Sequence, residues 1–256
     1  MEFNFFTFLF LLAILTSVIA LLWLNFRQDK SIKNSFNKVP QGFSDNISLE
    51  DHQKAGKYTQ AKLLVNHFEI IFSTLVLLIW TLGGAMNWLD QFWSLRISDP
   101  ILMGTIFILS IMLIASFIDL PFSIYRNFIL EQRFGFNRMT VRTFIGDLIK
   151  EILITLILML PLIYAILYLM NLDAIRDFWW IYVWIIITLF TLTMMWIYPS
   201  FIAPIFNKFN PLDNEVLKNR ITNLLERTGF GSDGIYVMDG SKRSSHGNAY
   251  FTGIGK

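Results

Sequence analysis

The side chains best suited to catalysis or ligand binding are grouped at residues 241–256, which read SKRSSHGNAYFTGIGK. Ser244, Ser245 and His246 are adjacent there, and two bases come just before them. A serine nucleophile needs an imidazole that faces its hydroxyl across space and a third group that orients the ring, so adjacency in sequence is not enough. The sequence also lacks a G-x-S-x-G motif. The residues alone therefore disfavour serine catalysis, and they place His246 in a polar turn.

A metal site would have to use histidine and carboxylate ligands, because the sequence contains no cysteine. Its three histidines are His52, His67 and His246. None belongs to an H-E-x-x-H motif, in which two histidines on one helical face bind zinc. The residues alone therefore predict no metal ligand in this sequence.

The stretch MDGSKRSSHGN has glycines and bases that could meet a phosphate or lipid headgroups, but it lacks the P-loop spacing. The residues after it, NAYFTG, predict a short strand over Asn248–Thr252. Such a strand could lie inside a sheet, with Tyr250 packed. It could also form an exposed edge that binds an extended peptide through main-chain hydrogen bonds. Composition leaves both interpretations open.

These residues belong to a chain with the composition of a membrane protein. Of its 256 residues, 54% are hydrophobic and 16% are charged, whereas a soluble domain carries about 25% charged residues. Five uncharged windows are long enough to cross a hydrocarbon core of ~30 Å. We predict membrane helices at about residues 3–26, 70–89, 100–118, 152–172 and 178–198. None has a carboxylate in its middle, which disfavours a channel or a pump.

The distribution of Lys and Arg predicts the orientation of these helices. Segments 27–69, 119–151 and 201–256 carry seven, five and seven of these bases, whereas the two short connections carry one each. Because basic loops stay in the cytoplasm, we expect the N-terminus outside and the basic loops and C-terminal tail in the cytoplasm. The segment 45–68 of the first basic loop also predicts a helix. A net charge of +2 gives no indication of nucleic acid, and we expect none as a partner.

After residue 207 the sequence turns polar. It predicts an amphipathic helix that starts near Pro211 and stops at Gly229, followed by a strand at Ile235–Met238. One helix and two strands bury too little apolar surface to fold alone. We therefore predict an all-α multi-pass membrane domain at 1–207, followed at 208–256 by the incomplete start of an α+β cytosolic domain.

Four stretches of the sequence resemble the type 1 CAAX prenyl proteases, the sterile-24 family of integral-membrane zinc metalloendopeptidases. The resemblance covers most of the chain, and the motifs occur in the family's order. They are HQKAGKYTQAK (52–62), EQRFGFNRMT (131–140), YPSFIAPIFNKFNPL (198–212) and VMDGSKRSSHGNAYFTGIGK (237–256).

The resemblance implies a helical membrane chamber capped by a cytosolic peptidase domain that cleaves peptide bonds near the C-terminus of substrate proteins, typically after a prenylated cysteine. The implied partners are a peptide or prenylated protein and the lipid bilayer of a bacterial inner membrane or an endoplasmic reticulum. It also implies that one strand borders the cleft and pairs with the substrate. In this sequence the strand comprises Asn248, Ala249, Tyr250 and Phe251, and the resemblance implies that Ser245 and His246 are supporting residues of the turn before it.

The family binds its zinc through H-E-x-x-H and a later glutamate, and this sequence contains no H-E-x-x-H. We therefore expect these residues to be an N-terminal portion of such a protease, with zinc held only by the complete enzyme, and to be inactive alone. The alternative is a non-catalytic membrane chamber that acts as a binding or regulatory module.

The predicted orientation can be tested with single cysteines, because the chain has none of its own. In intact cells, a membrane-impermeant maleimide should label a Ser98→Cys variant, which lies in a short connection. It should label Ser44→Cys, in the first basic loop, only after the membrane is permeabilised. The cysteine-free chain is the control, and the reverse labelling pattern would contradict the orientation.

Overall fold

A computed structural model of the protein describes residues 4–232 and 234–251. Within that part of the chain, five helices are long and apolar enough to cross a membrane, which confirms the predicted multi-pass helical fold. They are α1 (Phe5–Ser35), α2 (Leu49–Thr81), α4 (Pro100–Tyr125), α6 (Val141–Met170) and α7 (Trp179–Ile197). At most 11% of each apolar window is buried within the protein, as expected for helices whose apolar side chains contact lipid.

Shorter elements connect and follow these helices. The helices are α3 (Ala85–Ser94), α5 (Glu131–Phe134), α8 (Ala203–Phe206) and α9 (Glu215–Thr228), and the strands are β1 (Phe209–Pro211) and β2 (Tyr236–Met238). Two π-helical turns, Arg126–Leu130 and Tyr198–Ile202, lead from α4 into α5 and from α7 into α8. Three 3₁₀ turns lie at Gln41–Phe43, Asp173–Ile175 and Gly240–Lys242.

The chain divides into two compact units, and the first comprises residues 1–96 and 121–130. In this unit α1 continues through the polar residues after its apolar window, and α2 begins with the side chain of Ser48 as its N-cap, so the helix predicted at 45–68 is formed. The two helices pair through polar contacts outside the predicted spans, including Gln60 Nε2 to Asp29 Oδ1 at 2.8 Å. An ion pair joins Arg126 to Glu69.

The second predicted span, residues 70–89, is divided between two helices. Helix α2 ends at Thr81, and α3 starts after Gly84, whose φ of 84° lies in the left-handed region that favours glycine. At Gly83 a Cβ atom would lie 2.7 Å from the carbonyl oxygen of Ile79. The two glycines therefore allow a tight turn where hydropathy alone predicts a continuous helix.

The second unit comprises residues 97–120 and 131–256. The boundaries between the two units do not fall at residue 207. The boundary predicted there, between a membrane domain and a cytosolic domain, remains a prediction. Helix α7 matches the predicted fifth span closely. The two prolines after it, Pro199 and Pro204, do not stop the helical path, which continues through the π-helical turn into α8 and ends at Asn207.

The polar segment after α8 forms an antiparallel pair of strands and one helix. Phe209, Asn210 and Pro211 of β1 pair with Met238, Val237 and Tyr236 of β2. Helix α9 starts at the N-cap Asn214 and stops at Gly229, which has a φ of 70°. The predicted stop is therefore confirmed. The start is four residues late because Pro211 lies in a strand.

The strand predicted over Asn248–Thr252 is not formed in its described residues, and Thr252 lies outside them. A strand requires a neighbouring chain segment to pair with its backbone. No strand pairs with residues 248–251 in the described part of the protein, where β2 instead pairs with β1. The prediction of β2 at 235–238 is confirmed to within one residue.

Asp239 holds the two strands together at one end. Its Oδ1 accepts a 2.7 Å hydrogen bond from the Lys208 backbone N–H, and its own N–H donates to the Lys208 carbonyl at 3.1 Å. The ammonium of Lys242, which pairs with the carboxylate, is the main cause that lowers the pKa of Asp239 below its ordinary value. The ionised carboxylate of Asp239 therefore stabilises the pairing of β1 with β2 at pH values above the ordinary pKa of an aspartate. This contribution is lost as the pH falls through the lowered pKa.

We expect the hydrogen-exchange protection of residues 208–212, corrected for intrinsic rates, to fall on acidification through that pKa. An Asp239→Asn variant removes the charge but keeps an acceptor oxygen, so its protection should already be reduced at neutral pH and should not show this acid step. Lys218→Ala, which breaks the exposed Lys218–Glu215 ion pair of α9, is the control and should behave like the unsubstituted protein. An acid step of equal size in Asp239→Asn would contradict the assignment.

Candidate functional site

Two segments that the sequence analysis identified as motifs lie against each other in the second unit. We call residues 131–140 the α5 loop and residues 240–251 the C-terminal segment. The Arg138 N–H donates to the Arg243 carbonyl at 3.1 Å, and the Ser245 N–H donates to the Phe136 carbonyl at 3.0 Å. Between these two hydrogen bonds, Asn137 and Ser244 form an isolated antiparallel bridge. The C-terminal segment is thus docked on the α5 loop by main-chain pairing.

Gly135 explains how the α5 loop can present its backbone in this way. Its φ of 80° turns the chain sharply after α5, and the N–H groups of Phe136 and Asn137 bond back to the Glu131 carbonyl. The Asn137 side chain then accepts from the Met139 N–H at 2.8 Å. These local bonds leave the Phe136 carbonyl and the Arg138 N–H to pair with the C-terminal segment.

The side chain of Arg243 makes the densest set of polar contacts at this site. Its Nε and Nη2 donate to the two carboxylate oxygens of Asp147, at 2.7 and 3.0 Å. Its Nη1 donates to Asn207 Oδ1 at 2.6 Å, and its Nη2 also donates to the Phe206 carbonyl at 2.7 Å. The side chains of Arg243 and Asp147 are only 21% and 19% exposed. A two-point guanidinium–carboxylate pair of this kind fixes both orientation and distance.

Lys150 extends this network along α6. Its ammonium donates to the Ile205 carbonyl at 3.0 Å and lies 3.7 Å from Asp147 Oδ1. Ile205 and Phe206 are the last residues of α8, where a helix leaves carbonyl groups without partners inside the helix. Lys150 and Arg243 donate hydrogen bonds to those carbonyls. Their positive charges also interact favourably with the negative end of the helix dipole.

His246 makes a second contact between the two segments. Its Nε2 lies 3.1 Å from Glu131 Oε2, and its ring centroid is 4.3 Å from that of Phe136. Its backbone N–H donates to the Ser244 hydroxyl at 3.1 Å, and the hydroxyl of Ser245 reaches the Phe136 carbonyl at 3.4 Å. These residues form a turn that docks on the α5 loop. The supporting role predicted for Ser245 and His246 in substrate binding remains a prediction.

Asn248, Ala249, Tyr250 and Phe251 follow this turn and are exposed. The Ala249 N–H donates to Asn248 Oδ1, and the Phe251 ring lies 5.2 Å from that of Phe230. In the described part of the chain, no backbone hydrogen bond joins residues 248–251 to another segment. Within the described residues these main-chain groups pair with no other segment, and their predicted role in binding a peptide remains a prediction.

The histidines of this chain do not fit a zinc site. His52 Nε2 contacts the Ser35 carbonyl at 2.9 Å, and His67 Nδ1 contacts the Leu63 carbonyl at 2.6 Å. His246 has one carboxylate, Glu131, beside it. Over residues 4–232 and 234–251, no group of three or more His, Asp or Glu side chains could hold a metal ion. The described residues thus supply no zinc ligand set of their own.

Sequence reasoning missed the pairing of Arg243 with Asp147. The two residues are separated by 96 positions, and neither helical nor strand periodicity reports on such a contact. The available signal was indirect, because Arg243 lies inside a motif that resembles a family signature. Asp147 lies outside the quoted motifs, in the first turns of α6, and nothing in its sequence context distinguishes it from other surface carboxylates.

Five helices of membrane-spanning length define a multi-pass membrane protein, and its polar C-terminal segment is bound to residues near the start of α6 and at the end of α8. The model of a known family, described as CAAX prenyl protease N-terminal, five membrane helices, matches residues 28–208. The chain belongs to this CAAX prenyl protease family.

Curated relatives and a solved structure agree with this assignment. CAAX prenyl protease 1 homolog of Dictyostelium discoideum is 36% identical over 242 residues, which cover 91% of this chain and 55% of the relative. CAAX prenyl protease 1 of Saccharomyces cerevisiae is 32% identical over 245 residues, covering 91% of this chain and 52% of the relative. The crystal structure of S. mikatae Ste24p matches with a TM-score of 0.82 at 31% identity, covering 94% of this chain and 57% of that one. This chain therefore spans about half the length of these relatives.

Docking of the C-terminal segment on the α5 loop can be tested with a disulfide. Asn137 and Ser244 are directly opposite in an antiparallel bridge without hydrogen bonds to each other, where Cα atoms are ~4.5 Å apart. An Asn137→Cys, Ser244→Cys variant should therefore form an intramolecular disulfide on mild oxidation. The linked peptides should appear by mass spectrometry under non-reducing conditions only. The two single-cysteine variants are controls, and a free thiol pair after oxidation would contradict the docked arrangement.

Proposed function

We propose that the protein acts as a membrane-embedded zinc metalloendopeptidase of the CAAX prenyl protease type. It hydrolyses a peptide bond near the C-terminus of a peptide or prenylated protein. The observation that carries this proposal is membership of the family, through the match over residues 28–208 and the similarity to relatives with this name. Because the chain spans about half of those relatives, this activity is proposed for a protein that contains both parts.

In this proposal Asn248, Ala249, Tyr250 and Phe251 form the wall along which the substrate peptide lies. An extended peptide adds to an open backbone through main-chain hydrogen bonds, and pockets for alternate side chains then give specificity. Support comes from the exposure of these residues and from their unpaired main chain in the described part of the protein. The Asn248 carboxamide oxygen already accepts from Ala249, so its Nδ2 is the group that donates to the peptide.

Zinc supplies the hydrolytic chemistry of the family by activating water and polarising the scissile carbonyl. The present 256 residues contain no H-E-x-x-H motif, and their histidines do not form a ligand set in the described regions. We propose that these residues bind and orient substrate and that they are inactive alone. Residues 208–256 then form the start of the peptidase domain, on the same side of the membrane as the basic loops.

The bilayer is the second proposed partner. Five candidate membrane helices support an integral membrane location, and the distribution of Lys and Arg supports cytoplasmic basic loops and a cytoplasmic C-terminal segment. The proposed compartment is the bacterial inner membrane, or the endoplasmic reticulum in a eukaryote. The proposal includes no nucleic acid.

A chimera tests the proposed activity directly. Residues 1–256 are joined to the portion of the Saccharomyces cerevisiae relative that follows its aligned region, and the purified protein is assayed with a farnesylated C-terminal peptide. We expect zinc-dependent cleavage that a chelator abolishes. The 256-residue chain alone should cleave at the background rate and bind no stoichiometric zinc. The complete yeast protein is the positive control, and Asn248→Ala in the chimera should lower kcat/KM.

Cleavage or tight zinc binding by the 256-residue chain alone would contradict its proposed inactivity. A folded chimera that binds the peptide and zinc but does not cleave, beside an active yeast control, would contradict the proposed activity. That second outcome would favour the alternative, a membrane chamber that binds or regulates without catalysis.

A further inference from the structure

We propose that Arg243 is a positioning residue that fixes where residues 248–251 lie, and that it thereby sets how tightly an extended peptide binds along them. This inference rests on the proposed function, because it names the residue that holds the proposed peptide-binding wall in position. It concerns a side chain that holds the wall in place and that is not itself required to touch substrate.

Arg243 joins three separate parts of the second unit. Its guanidinium bonds to Asp147 in α6 and to the Phe206 carbonyl and Asn207 side chain at the end of α8. Its own carbonyl accepts from the Arg138 N–H of the α5 loop. One residue therefore fixes the C-terminal segment to α6, to α8 and to the α5 loop.

The environment of this ion pair distinguishes it from the surface pairs of the same unit. Exposed pairs with one contact contribute little, because water screens them and long side chains lose entropy on pairing. The Lys218–Glu215 pair is of that kind, with a single 3.4 Å contact and side chains 47% and 71% exposed. The Arg243–Asp147 pair has two parallel hydrogen bonds and side chains about one-fifth exposed.

Such an anchor matters for residues 248–251 because few contacts to other described residues hold them. In the described part of the chain their backbone makes no hydrogen bond to another segment. Among the described residues, their side chains make the Phe251–Phe230 ring contact and a 3.9 Å approach of the Tyr250 hydroxyl to Met238 Sδ. The last residue before them with a contact to the α5 loop is His246, whose side chain is 47% exposed. The strongest fixed point before the wall is therefore Arg243.

Two substitutions separate this role from a general loss of folding. Arg243→Lys keeps the positive charge, but a single ammonium cannot reproduce the planar fork that reaches Asp147, Asn207 and the Phe206 carbonyl together. Asp147→Asn keeps the size of the side chain and one acceptor oxygen, and it removes the charge-assisted pair. Lys218→Ala is the matched control, because it breaks an ion pair in α9 away from the docking contacts.

The first measurement uses the 256-residue chain in lipid nanodiscs. Because the chain lacks cysteine, a spin label on an Ala249→Cys variant reports on the wall alone. Arg243→Lys and Asp147→Asn should each shift the spectrum of this label towards faster motion, and Lys218→Ala should leave it unchanged. A label on Ser232→Cys is the control site, and its spectrum should be the same in all four backgrounds. A spectrum at position 249 that does not change would overturn the proposal.

The second measurement uses the chimera and the farnesylated peptide. A wall that is out of place loses binding shared by the ground state and the transition state, so KM should rise roughly tenfold while kcat changes little. Zinc content should not change, which separates this effect from collapse of the metal site. Full retention of KM in both Arg243→Lys and Asp147→Asn, in an active chimera, would also overturn the proposal.

The two measurements distinguish failure of this inference from failure of the proposed function. If the unsubstituted chimera is inactive beside an active yeast control, the proposed activity fails, and the spin label still decides whether Arg243 fixes residues 248–251. If the chimera is active and the label does not respond, the activity stands and the role of Arg243 is wrong.

Discussion

Every backbone N–H and C=O group must find a hydrogen-bond partner, and in hydrocarbon no water can supply one. This constraint makes the five membrane-spanning segments helical, and it restricts backbone polar groups without partners to the helix ends. The N-terminal ends of three of these helices are capped accordingly, by Asn4 at α1, by Ser48 at α2 and by Thr140 at α6. The C-terminal end of α8 is capped in a different way, by the side chains of Arg243 and Lys150. The C-terminal segment therefore docks through contacts that supply partners to backbone carbonyls, and the same need for partners makes the spans helical.

The sequence was informative where a physical requirement acts locally. Long uncharged windows predicted all five membrane-spanning helices, because length and hydropathy suffice for that inference. It was less informative about where helices end. Helix α1 and helix α2 run through polar residues beyond the apolar windows, because a helix that is already nucleated continues at little cost until a cap or a glycine stops it. Gly83 and Gly84 stop α2 inside a window that hydropathy treats as one span.

The arrangement of the site could be predicted only in part. The resemblance to a protein family identified the segments 131–140 and 237–256, but it gave no information that they touch. The contact joins residues about a hundred positions apart through Asn137 with Ser244 and through His246 with Glu131. Such pairings depend on the path of the whole chain. The helical or strand spacing of apolar residues carries no information about that path. The strand predicted at 248–252 shows the same limit, because alternating side chains describe a strand only when a second segment pairs with it.

A segment that offers its main chain to a peptide cannot also use that main chain to hold itself in place. It must therefore be fixed by side chains or by neighbouring residues, and otherwise it would lose conformational entropy each time a ligand bound. The geometry here meets this requirement: the backbone bonds of the C-terminal segment to the α5 loop end at Ser245, and the guanidinium bonds of Arg243 come two residues before that point. Residues 248–251 then follow with their backbone unpaired in the described structure. Under the proposed function, an upstream arginine bound at the end of a membrane helix would join the stability of that helix end to the order of residues 248–251.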